Sequence, residues 1–228
     1  MPQLSQNEKE IIIFHGIFTV LCLVLLSTLS FLPVGIRLLL VVVLYNTALP
    51  VWGMARGYTD WIHLWMFVFV LSMFQVFPDW FLSAQLNILV FPEDGLFKFG
   101  TVSGYMAGLW SIPMFLIIYA GERFSERISV MAGYGAAGTV ALIIFGGSEE
   151  TLWVLPSWSA QNVMMIDHMA IYIIIPEIIL GISALFYYQY IKEKPHWVKI
   201  PSAFLVMLLY LGSAAFFYFL FEKIIKFA

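Results

Sequence analysis

The sequence predicts an all-α, polytopic integral membrane protein, a single bundle of about seven transmembrane helices, on three observations. Hydrophobic residues make up 62% of the 228 and charged residues only 11%. Soluble domains carry roughly a quarter charged residues, so this chain has too little polar surface to cover a core in water. The mean hydropathy is +0.92. Apolar runs of the length that crosses a bilayer, about 20 residues, recur along the chain with no soluble stretch between them.

The runs fall at 11–32, 36–55, 61–85, 105–121, 128–147, 163–190 and 201–222. The first follows "MPQLSQNEKE", which has no basic segment, so it reads as a retained helix and not as a cleaved signal. Pro33 and Gly35 end it, and "ARGYTD" separates the second run from the third. "GERFSER" divides the fourth from the fifth, and "KEKPHWVK" the sixth from the seventh. Only 87–104 and 147–162 are long connections, and the second, with Trp153, Pro156 and Trp158, suits an interfacial cap. Residues 1–228 therefore read as one helical domain. Within the fifth run Gly133, Ala137 and Ala141 stand four apart, a small-residue face that lets helices approach closely.

Seven crossings place Lys9, Arg56, Arg123, Arg127, Lys192, Lys194 and Lys199 on one side. Arg37, Lys98, Lys223 and Lys226 fall on the other. The side richer in cations is normally cytoplasmic, so the N-terminus is expected inside, in a cell or inner membrane. Both long connections then lie outside with Glu93, Asp94, Glu149 and Glu150, and a mouth is expected at that end. Trp52, Trp61, Trp80, Trp110, Trp153, Trp158 and Trp197 fall near span ends and read as an interfacial belt.

Several functions are set aside. A net charge of -3 with no basic cluster gives no footing for nucleic acid. Cys22 is the single cysteine, so no intrachain disulfide forms. No lysine falls inside a predicted span, which excludes a retinal Schiff base. There is no P-loop, no GxSxG, no dinucleotide turn and no acid cluster of the kind that holds magnesium for diphosphate chemistry. His15, His63 and His196 share a predicted side, but nothing in the sequence brings them to ligand distance of a zinc ion. No metal and no cofactor are expected. Membrane lipid and a lipid-soluble small molecule are the expected partners, and a homo-oligomer is compatible with the composition.

The informative residues are the polar ones within the spans, since such groups are costly in lipid and usually face a bundle interior or a wet cavity. In the third run Ser72, Gln75, Asp79 and Ser83 share one helical face, and Pro78 frees a carbonyl near Phe74. Such a stripe points inward, either to bond neighbouring helices or to line a site. In the sixth run Asp167 and His168 lie toward the outer end, with Glu177 about 15 Å deeper in "IIIPEIILG". No lysine or arginine lies at the depth of Glu177, so it is expected as a neutral acid donating a hydrogen bond to Asn46, Tyr45 or a water. The second, third and sixth spans are expected to enclose an outward-opening cavity lined by Asn46, Gln75, Asp79, Asp167 and Glu177. Tyr45, His168 and Glu150 complete the candidate substrate contacts.

"FPEDGLF" (91–97) and "IIPEIILG" (174–181) resemble the Pro-x-Glu-Glu/Asp motif of integral-membrane lycopene cyclases. The run "SEETLWVLPSWSAQNVMMIDHMAIYIIIPE" is similar to that family's approach to its second motif. Fungal membrane terpene cyclases are of similar size and use embedded acids without a metal. The chain departs from the motif: Pro92 is followed directly by Glu93 and Asp94, and Pro176-Glu177 lacks the second acid. The resemblance implies acid-initiated cyclisation or isomerisation of an isoprenoid, with Glu93, Asp94 and Glu177 in the positions of the family's acids.

Three functions follow as expectations. The first is an enzyme that acts on an isoprenoid or carotenoid-like substrate by metal-independent acid/base chemistry, with Glu177, Asp79, Asp167, Glu93 and Asp94 as catalytic candidates. The second is a proton- or cation-coupled transporter or channel through the same acids. The third is a non-catalytic binding or assembly subunit whose polar residues only join helices.

Overall fold

The computed structural model describes residues 4–225. Residues 1–3 and 226–228, Lys226 of the orientation count among them, lie outside the described residues. The protein is an all-α bundle of seven principal helices, six of them long and apolar enough to cross a membrane.

Helix α1 (Gln6–Thr28) starts at a capping box, in which the Ser5 hydroxyl accepts from Glu8 N–H and Ser5 N–H donates to the Glu8 carboxylate. Helix α2 (Val34–Arg56) begins after Pro33 and ends where Gly57 takes a left-handed φ of 72°. Helix α3 (Thr59–Phe74) is interrupted at Gln75, as Pro78 requires, since proline offers no N–H to the carbonyl one turn back. The chain continues as α4 (Val76–Trp80) and a π-helical turn over Phe81–Gln85. Ser72, Gln75, Asp79 and Ser83 are all buried, so the polar stripe faces inward.

The short α5 (Met106–Leu109) leads into α6 (Ser111–Arg127), six residues later than the predicted 105–121. Helix α6 is the one principal helix too short and charged to span by composition. Its end carries Glu122, Arg123, Glu126 and Arg127, which tie it to Lys192 (3.0 Å), within itself and to Glu8. Helix α7 (Val130–Leu152) runs five residues beyond the predicted end, so Glu149 and Glu150 belong to its last turn and not to a loop. Helix α8 (Ile171–Ile191) begins eight residues later than predicted. The fold closes with α9 (Lys199–Tyr218) and a π-helical turn over Phe219–Ile225. Lys199, placed outside the last span by its sequence, is the first residue of α9 and is buried.

The expected small-residue face is present. Gly133, Ala137 and Ala141 are buried, and a Cβ added at Gly181 of α8 would stand 2.8 Å from that of Ala141. This lets α6, α7 and α8 pack closely.

Both long connections meet at the end of the bundle opposite residue 6. Strand β1 (Leu89–Val90) pairs antiparallel with β4 (Ser159–Ala160), joining the two connections directly. Strands β2 (Lys98–Phe99) and β3 (Val102–Ser103) form one two-residue hairpin, and β5 (Met165–Ile166) with β6 (Met169–Ala170) form another. Glu222 at the end of the chain accepts from Met164 N–H at 2.8 Å, fastening the cap to the last helix.

Candidate functional site

Beneath this cap lies a cavity of about 470 Å³, bounded by α1, α2, α4, α6, α7, α8 and α9. Aliphatic and aromatic side chains make up most of its wall, including Phe18, Trp110, Phe145, Trp153 and Trp158. Four carboxyl groups open onto it, Asp79, Glu149, Asp167 and Glu177, with the phenols of Tyr172 and Tyr210. No lysine or arginine lines it.

Three of the acids sit inside. Asp79 is buried on α4, and its Oδ2 accepts from Trp110 Nε1 at 3.2 Å. Glu149, on the last turn of α7, accepts from Ala170 N–H at 3.1 Å, a carboxylate at the start of α8 where unpaired amides favour one. Glu177 is 5% exposed, and among the described residues its carboxyl group has no hydrogen-bond partner. Glu149, Glu177 and Tyr210 line the same cavity as Asp79.

The expected wall is only partly the observed one. Asp79, Asp167, Glu177 and His168 line the cavity. Asp167 and His168 are not helical, however. They form the turn between β5 and β6, where Asp167 has φ +54° and its side chain is 74% exposed. The expected helical rise of about 15 Å from Asp167 to Glu177 therefore does not apply. Because α8 starts at Ile171, Glu177 lies about 9 Å along its helix from that start, and Pro176 falls in the second turn. Glu150 stays at the rim, accepting from His168 N–H at 3.2 Å.

Asn46, Tyr45 and Gln75 do not line the cavity. Asn46 is consumed by packing: its amide donates to Val42 and Gly108 carbonyls, while its oxygen accepts from Trp65 and Ser111. Tyr45 is hydrogen-bonded to His15 at 3.1 Å, so neither residue meets Glu177. Gln75 is fully buried, with both amide atoms unpartnered. Glu93 is an exposed partner of Lys98 at 2.9 Å. Asp94 is buried in a turn, accepting from Leu96 N–H while its carbonyl accepts from Gly35 N–H, and both acids lie off the cavity wall.

Glu149, Trp110, Tyr172 and Tyr210 are among the cavity residues that sequence reasoning left out of the site. The signal for Glu149 was the unbroken helical run from Val130 through Leu152. Nothing local marked the others, and the tryptophan belt is partly mistaken. Trp61 is fully buried and donates to Asn7 at 2.7 Å, and Trp110 serves Asp79.

The three histidines do not assemble into a zinc site. His15 is bonded to Ile11 and Tyr45, while His63 and His196 meet edge to face at 5.0 Å. Among the described residues one other group has ligand geometry: Glu150, Asp167 and His168 bring donor atoms within 4.8 Å of one another at the cavity rim. His168 is held there by stacking on Trp153 at 4.3 Å. A mixed oxygen–nitrogen set of this kind suits a first-row divalent ion, but such exposed acid groups are common without one.

Fold and site together define a polytopic membrane protein with an acid-lined cavity under a cap of paired connections. The chain belongs to the family described as a domain of unknown function, DUF6989, whose profile matches residues 76–221. That stretch holds α4 to α9, and with them every cavity acid. None of the curated proteins and none of the solved structures compared with it matches the chain.

Proposed function

We propose that the protein is a membrane-embedded enzyme that cyclises or isomerises a lipid-soluble isoprenoid by metal-independent acid/base chemistry. The observation that carries this reading is that Asp79, Glu149 and Glu177 open onto one aromatic-walled cavity without a cation among its lining residues. Three carboxylates cannot all be ionised in such surroundings, since burial and mutual repulsion both oppose the charge. At least one is therefore a neutral acid, and we assign the proton donor's role to Glu177, which is 5% exposed and has no hydrogen-bond partner among the described residues.

In the reaction, the Glu177 O–H donates its proton to one carbon of a substrate double bond, and the π electrons form the new C–H bond. The cation left on the neighbouring carbon is attacked by a second double bond, forming a ring, or is not attacked, giving simple isomerisation. Trp110, Phe145 and Phe18 line the cavity with aromatic rings of the kind that stabilise a passing cation. Asp79 or Glu149, as carboxylate, removes a proton from the adjacent carbon, and the electrons of that C–H bond close the product double bond. The substrate formula is unchanged, and one proton returns to Glu177 through the shared cavity.

Transport is less well supported. Between this cavity and the polar recess at Asp60, His63 and Glu122 lie Phe67, Val68, Leu71, Ile117, Ile118, Leu180 and Leu185, all fully buried. A cation path would have to cross that apolar layer. In this reading the N-terminus is cytoplasmic and the capped cavity faces outward, following the excess of Lys and Arg on the N-terminal side.

The test uses protein in lipid nanodiscs with a panel of acyclic polyenes, lycopene among them, in D2O. Protonation by solvent-exchanged Glu177 puts one deuterium into an otherwise isomeric product. Product without deuterium, or no product from any isoprenoid chain, contradicts the proposal.

A further inference from the structure

We infer that the cavity takes its ligand from within the bilayer, through a gap between α1 and the α6–α7 pair, and that this ligand is a linear, uncharged hydrocarbon chain. The inference rests on the reading of a lipid-soluble substrate and names its route.

Helix α1 is the loosest of the spanning helices. Of its most apolar stretch 17% is buried, against 44% for α2. Its one extensive packing partner is α2. Near the N-terminus α1 is also fastened to α6: Asn7 accepts from Tyr119, Glu8 pairs with Arg127, and His15 stacks on Phe115 at 5.9 Å. Past His15, among the described residues, no hydrogen bond, ion pair or ring contact joins α1 to α6. The next inward positions on α1, one turn apart, are Phe18, Cys22 and Leu26, and all three line the cavity. Ile112 and Leu116 of α6 and Ile144 of α7 line it as well. Cys22, Leu26, Ile112, Leu116 and Ile144 are each partly exposed. At the outer end Arg37 holds the Leu26 carbonyl at 2.8 Å, which binds α1 to α2 and away from α6.

The gap is thus closed by polar and aromatic contacts at the N-terminal end and lined by apolar side chains beside the cavity. It lies at the depth of hydrocarbon, so only a group at home in lipid gains by passing it. The residues flanking it carry no cation for a charged head and no donor beyond the weak Cys22 thiol. The inner end of the route is the carboxyl cluster, which meets the leading end of the chain while the trailing part remains among α1, α6 and lipid.

The test measures loading apart from turnover. Delipidated protein in nanodiscs is mixed with squalene, samples are transferred to detergent at successive times, and the retained squalene is counted by mass spectrometry. Wild type should load squalene. Cys22→Trp and Leu116→Trp, which fill the gap, should lower the loading rate about tenfold or more. Leu23→Trp, on the lipid-facing side of α1 and 66% exposed, should not lower it. Leu116→Ala widens the gap and should load faster, and it carries the test if the tryptophan variants do not fold. Equal rates in Leu116→Ala and wild type, or equal slowing by Leu23→Trp, would overturn the route. Failure of wild type to retain squalene would overturn both route and ligand class. Normal gap-dependent loading with no turnover on any polyene would leave the route standing and remove the enzymatic reading.

Discussion

Glu177 and Asp94 are both buried acids that closely follow a single proline, yet their surroundings give them opposite characters. Asp94 is occupied by its own turn: its Oδ1 holds Leu96 N–H at 2.9 Å, and its carbonyl holds Gly35 N–H at the start of α2. Its Oδ2 is buried without a partner, but a side chain whose one hydrogen bond closes its own turn is a structural acid. Glu177 has no such partner and faces the cavity. Asp94→Ala should therefore destabilise the protein by about 1–2 kcal/mol while leaving turnover per folded molecule intact, read by a thermal melt beside an activity assay. A hundredfold loss of turnover in a folded Asp94→Ala would restore the role that the lycopene cyclase resemblance implies. At Asp79, Trp110→Phe removes the indole donor and leaves the ring. Turnover should fall while squalene loading holds; a drop in loading alone would make Trp110 a packing residue.

At the scale of elements, the close contact of α7 with α8 is the most exacting feature. A Cβ at Gly181 would meet Ala141 Cβ at 2.8 Å and the Ala137 carbonyl at 3.1 Å. Gly181→Val should cost about 1–3 kcal/mol from overpacking, seen as a lower melting temperature in detergent, whereas Gly212→Val, with open space around it, should change little. The spans themselves were legible because apolar length and breakers are local signals. The start of α8 was not. "VMMIDHMA" is as apolar as a helix, but Glu149 and Glu150 draw the amides of Ala170 and His168 into a hairpin. Those partners lie about twenty residues away and on another helix, so no local pattern announces them. The same holds for Asn46, whose polarity was visible but whose four hydrogen bonds to packing neighbours were not.

For the whole molecule, the crossings place residue 9 and residue 156 at opposite ends of the bundle. In sealed, oriented vesicles on a Cys22→Ala background, Lys9→Cys and Pro156→Cys should react with an impermeant thiol reagent from opposite sides. Reaction from the same side would contradict the crossing pattern. The inward polar stripe on α3 and α4 pointed to a buried site, while the composition of that site came from elements far apart in sequence: Asp79, Trp110, Glu149, Glu177 and Tyr210. Helix packing brings these together, and periodicity on any one helix carries only its own member.

The central claim is that Glu177 works as a proton donor and not as a helix-joining group. The most direct measurement is single-turnover conversion of a polyene by Glu177→Gln, beside wild type, in preparations matched for melting temperature and squalene loading. Glutamine keeps the size and the hydrogen-bonding capacity and removes the acidic proton. The account predicts a folded, loaded protein whose conversion is slower by roughly 10²-fold or more. Conversion at the wild-type rate by the folded variant would contradict it.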